Sequence, residues 1–130
     1  MEGLREFARK KNLSGSHFTA IGAFSDVTLA YFDWEQKQYK KIPVKEQVEV
    51  VSLVGDIALK DGRPEVHAHV VIAKRDGTAH GGHLMEAHVR PTLEVVLTES
   101  PIQLQRKFDA ASGLALIELE ASSGMPPSNP

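Results

Sequence analysis

Val66-His67-Ala68-His69-Val70-Val71-Ile72-Ala73-Lys74-Arg75-Asp76-Gly77-Thr78-Ala79-His80-Gly81-Gly82-His83-Leu84 holds four of the chain's six histidines. Val66, Ala68, Val70 and Ile72 alternate with His67, His69 and Val71, the period-2 pattern of a strand, so His67 and His69 leave the sheet on one face. Asp76-Gly77 then signals a hairpin, and its loop length decides the face of His83, because a one-residue slip moves every side chain across the sheet. A two-residue Asp-Gly loop pairs Arg75 with Thr78 and sets His83 opposite Val70, on the wrong face. A three-residue loop, Arg75-Asp76-Gly77 with Gly77 left-handed, pairs Lys74 with Thr78 and sets His83 opposite His69. In that register His67, His69 and His83 form a triangle, and His80 turns to the other side opposite Ile72.

Such a triangle suits a divalent metal. Imidazole is a ligand for Zn, Fe, Ni or Cu, and three histidines without a fourth protein ligand leave a position for water or substrate. The bland alternative is three half-buried strand histidines, each bonded to a carbonyl; His-x-His with a register-matched third His favours the metal. His17, His80 and His88 read as ordinary histidines. Gly81 and Gly82 mark a bulge or a close backbone approach beside His83.

The remaining composition narrows the chemistry. The 130 residues, 42% hydrophobic and 25% charged, are one globular domain's worth. A net charge of -2 without a dense Lys/Arg stripe disfavours non-specific nucleic-acid binding. With no cysteine there is neither a disulfide framework nor a thiolate site, so a metal must rely on His and carboxylate. No apolar run reaches the roughly 18–20 residues of a membrane span, and a cytoplasmic, soluble protein is expected.

Outward from the histidines, Glu2 to Lys11 reads as an amphipathic helix with Leu4, Phe7 and Ala8 on its inner face, its basic end Arg9-Lys10-Lys11 matching the helix dipole. Phe18–Ala23 and Val27–Phe32 read as two strands, and Asp33 to Lys37 as a reversal into Gln38–Val44, an edge strand by Pro43. Trp34 is a turn anchor or subunit contact. Val48–Leu59 is a central strand with a bulge at Gly55-Asp56, and Lys60 to Pro64 the turn into the histidine strand. Gly62-Arg63-Pro64 shares three residues with the AT-hook, but Asp61 and Glu65 flank it and it joins two strands. Leu93–Thr98 is a strand, Pro101 opens a short segment with Leu104, Lys107 and Phe108 at helical spacing, and Leu114–Leu119 closes the fold. The expectation is an α+β domain over 1–120, an antiparallel sheet with one N-terminal helix and short helical segments, followed by a disordered Ser/Pro/Gly tail over 121–130.

Ala20-Ile21-Gly22-Ala23, Tyr31-Phe32-Asp33, Val48-Glu49-Val50-Val51-Ser52-Leu53-Val54-Gly55, Asp61-Gly62-Arg63-Pro64, His67-Ala68-His69, Gly81-Gly82-His83-Leu84 and Ser112-Gly113-Leu114 together resemble the plant-and-prokaryote-conserved (PPC) domain, in its stand-alone prokaryotic type. The resemblance implies a homotrimer of sheet subunits and a metal, usually zinc, held at His67, His69 and His83. In plants the domain follows AT-hooks and serves oligomerisation and partner binding; prokaryotic members are often labelled DNA-binding by that association. The plant partner motif Gly-Arg-Phe-Glu-Ile-Leu falls on Glu46 to Val51, where only Glu49 is identical. Family members usually begin with a strand ahead of the first helix, whereas this chain starts at the helix, so an uncovered sheet edge or an upstream start is expected.

Three functions follow from these readings. The first is a metal-binding, homotrimeric binding or assembly module acting through protein partners or a small ligand at the metal. The second is a metal-dependent, hydrolase-like enzyme using the open coordination position, for which Glu65 and Glu86 are the nearby general-base candidates and no catalytic residue is assigned. The third is direct DNA binding, which the charge balance opposes.

Overall fold

The computed structural model describes residues 1–122; most of the expected tail, from 123 on, lies outside them. Helix α1 (Glu2–Lys10) buries Ala8 and rests Leu4 on the core, with Arg9 and Lys10 at its negative end. Phe7, expected on the inner face, is exposed. The helix ends where Asn12 turns left-handed (φ 51°), and Leu13 N–H donates to Ala8 O at 3.0 Å.

Seven strands follow: β1 (Gly15–Asp33), β2 (Gln38–Val44), β3 (Val48–Lys60), β4 (Arg63–Ala73), β5 (Ala79–Glu99), β6 (Gln105–Asp109) and β7 (Leu114–Ile117). They form one sheet in the order β2-β1-β5-β4-β3-β6-β7, and a further β1–β3 pairing closes β1, β5, β4 and β3 into a ring. Phe18, Phe24, Leu29, Leu53, Ile57 and Ile72 fill it. The result is a single domain, mostly sheet, with one helix among its described residues.

Several expectations are corrected here. The two strands expected over 18–32 are one long β1, whose register shifts around Phe24 and Asp26 let it pair with β3 and β5 at one end and with β2 and β5 at the other. Likewise Leu93–Thr98 is the far end of β5. The segment after Pro101, expected to be helical, is strand β6, because Leu59 and Lys60 recruit Gln105 and Arg106 in parallel, the one parallel pairing among the described residues. The bulge in β3 lies between Val50 and Ser52, opposite β4. Gly55 is instead a contact point, where an added Cβ would meet the Phe18 ring and come within 2.6 Å of His67 O.

Candidate metal centre

The register of the histidine hairpin is that of the three-residue loop. Lys74 N–H donates to Thr78 O and Gly77 N–H to Lys74 O, both at 2.9 Å, and Gly77 has φ 82°. Asp76 Oδ1 accepts from Thr78 N–H at 3.0 Å and from Thr78 Oγ1 at 2.7 Å, holding the aspartate outside the left-handed region. The other Asp-Gly pair, Asp61-Gly62, makes the two-residue turn with both φ positive (50° and 74°) and pairs Lys60 with Arg63.

That loop sets His69 opposite His83 and Ile72 opposite His80. His67, His69 and His83 meet on the outer face of the ring, their ring centroids 5.1 Å (His67 to each of the other two) and 5.5 Å apart. One nitrogen from each lies within 4.8 Å of the others, a spacing that one ion with metal–nitrogen bonds of about 2.0–2.1 Å can draw together. His80 is exposed on the other side, His17 is exposed opposite Asp56, and His88 bonds Asp26 at 2.8 Å.

Burial first, then repulsion from His67 and His69, pushes the His83 ring down to about 4. Burial and the Arg106 guanidinium also lower His67. Both rings are therefore neutral at neutral pH, the state in which imidazole ligates. His83 Nδ1 is buried without a hydrogen-bond partner among the described residues, an orphan that an ion would satisfy. This donor set fits a borderline divalent metal with an open coordination position.

Three neighbours complete the site, none visible as a motif. Tyr39 stacks on the His83 ring at 4.7 Å and fixes its plane. Asp56, directly opposite His67, pairs with Arg106 from β6. The Arg106 side chain is 7% exposed and its Nε has no partner among the described residues. His67 and His83 line a groove of about 450 Å³ walled by Tyr39, Arg106, Phe108 and Leu116. Glu65 lines the same groove, whereas Glu86 lines another beside Met1 and Gly3.

A family model for the Plants and Prokaryotes Conserved (PCC) domain matches residues 1–101. This chain belongs to that family. Among solved PCC-like structures, a plant- and prokaryote-conserved protein from Pyrococcus horikoshii is 36% identical, with a TM-score of 0.85 over 90% of this chain and 81% of that one. A metal-containing protein from Archaeoglobus fulgidus is 36% identical with a TM-score of 0.79, over 90% and 83%. A protein from Bacteroides thetaiotaomicron described as a "putative dna binding protein" is 26% identical with a TM-score of 0.88, over 92% and 83%. The bifunctional protein GlmU of Synechococcus is 31% identical over 98% of this chain, which spans only 20% of GlmU's length. The PCC membership agrees with the resemblance carried by the sequence motifs, and no helix among the described residues is long and apolar enough to cross a membrane.

Proposed function

We propose that this PCC domain, spanning 1–120 ahead of a tail at 121–130, is a cytoplasmic metal-binding assembly module. It is a homotrimer in which His67, His69 and His83 of each chain hold one ion, zinc by preference, with a position left for a small ligand or a partner's side chain. The observation that carries the reading is the trio itself: three ligand nitrogens within 4.8 Å, and His83 Nδ1 buried without a partner among the described residues. The Archaeoglobus relative's metal supports it. Supporting the trimer, Ile21, Val54, Val71 and Val96 lie exposed on the outer face that carries His69, with Val96 at 70%. The match to one fifth of GlmU supports a module that can be joined to a larger protein. When bound, the ion supplies Lewis acidity at its free position. The test is substitution: His69→Ala abolishes metal retention and His80→Ala leaves it intact, whereas equal loss in both variants defeats the assignment.

Two other readings have specific support. A hydrolase-like reaction is favoured by Glu65, which shares the groove with His67 and is the only one of the two expected base candidates to do so. It requires turnover of an ester or phosphoester that falls at least about a hundredfold in Glu65→Gln. DNA binding is favoured by the Bacteroides relative and by Arg5, Arg9, Lys60 and Arg63, which outnumber Asp61 and Glu65 around one groove despite the acidic net charge. It requires a mobility shift that survives moderate salt.

A further inference from the structure

The groove beside the histidines contains a charge arrangement that the metal does not explain. Arg5, Lys60 and Arg106 line it with one carboxylate, Glu65, while Asp56 pairs with Arg106, in a chain whose net charge is -2. Lys60 and Glu65 are 4.0 Å apart, a loose pair that leaves Lys60 largely free for another anion. Arg106 is more telling. A guanidinium offers five N–H donors, and this one, almost wholly buried, donates among the described residues only to Asp56 and, at 3.4 Å, to Ala115 O. Its Nε is buried without a partner among the described residues. A buried cation so sparsely bonded is costly unless a further acceptor arrives.

We propose that Arg106, assisted by Lys60 and Arg5, is the oxyanion subsite of a small-molecule site whose other end is the metal. The inference rests on the metal reading above. The ligand is a small organic acid: its carboxylate or phosphate lies on the guanidinium, an apolar body lies along Phe108, Leu116 and the Tyr39 ring, and a donor atom reaches the open coordination position. A volume of about 450 Å³ is within the range of small-ligand pockets, about 300–1,000 Å³. Asp56 is the built-in competitor, occupying guanidinium donors that the ligand would use.

Calorimetric titration of the zinc-loaded, tag-free chain with benzoate, acetate and inorganic phosphate tests this. Benzoate binds more tightly than acetate, and phosphate binding in place of both assigns the oxyanion to a phosphate source. Arg106→Met weakens binding by roughly tenfold or more while zinc content is unchanged. Arg106→Lys, which keeps charge and bulk if Met disturbs folding, loses most of that affinity because it lacks the fork. Asp56→Asn tightens binding, an effect that a purely structural Arg106–Asp56 pair would not produce. Lys41→Gln, on an exposed edge of β2, changes nothing. Unchanged affinity in Arg106→Met, or no tightening in Asp56→Asn, overturns the subsite. If the chain holds no zinc, the metal reading fails by itself. The same titration on metal-free protein still decides the subsite, which is overturned if no anion binds there.

Discussion

At the scale of single residues, the site depends on where side chains are missing as much as on where they are present. Gly55 lets the Phe18 ring and the His67 carbonyl close over β3, and Gly82 brings the β5 backbone against Ala30 O, 2.7 Å from where a Cβ would stand. Gly55→Ala forces Phe18 or β4 to shift and is expected to lower stability by about 1–3 kcal/mol, read from denaturant unfolding. Wild-type stability in that variant would mean the ring has room the packing does not show. Away from the metal, His88 and Asp26 form an exposed pair. The bond to Asp26 raises His88 above its ordinary 6.5, and bonds from His88 and Ser25 hold Asp26 below 3.8. The sign follows from linkage. The His88 contribution is complete below 6.5 and lost as pH rises through its elevated value, while that of Asp26 is complete above 3.8 and lost as pH falls through its depressed one. Both act together between these values. In an NMR titration Asp26→Asn returns His88 toward 6.5, and no movement would show that the pair is not formed in solution.

At the scale of elements, one loop residue places the third ligand. Deleting Ala79, with the Lys74–Thr78 pairing of the loop kept, sets His83 opposite Val70 and moves it to the core side of the sheet. The deletion variant is expected to lose its metal and to melt lower; wild-type metal content would contradict the register as the cause. This part of the site was legible in the sequence, because period-2 alternation fixes His67 and His69 and the two possible loop lengths give opposite answers for His83. Thr78, which holds Asp76 in the longer loop, is the local signal that separates this Asp-Gly pair from Asp61-Gly62. Tyr39 and Arg106 were not legible. They come from β2 and β6, and only the pairing of β1 with both β2 and β5 and the parallel β3–β6 pairing bring them to His83 and Asp56. For the same reason Ser25-Asp26 reads as a break between strands, whereas pairing on both sides carries β1 through it. Spacing of Leu104, Lys107 and Phe108 reads as helical until a partner strand overrides it.

At the scale of the whole molecule, the ring leaves an apolar stripe uncovered. Ile21, Val54 and Val96 on the outer face are exposed among the described residues, which is the surface that a homotrimer would bury. Light scattering is expected to give three times 14.2 kDa, about 43 kDa. Val54→Lys, a charge at the centre of that stripe, should lower the mass toward the monomer; a wild-type chain that already runs as a monomer would remove trimerisation from the account. The acidic net charge belongs to this scale too, since it makes the cationic groove beside the histidines a local feature rather than one face of a basic protein. The most direct test of the central claim is elemental analysis of tag-free protein purified without chelator. About one divalent ion per chain is the predicted result, and folded protein carrying no metal would contradict it.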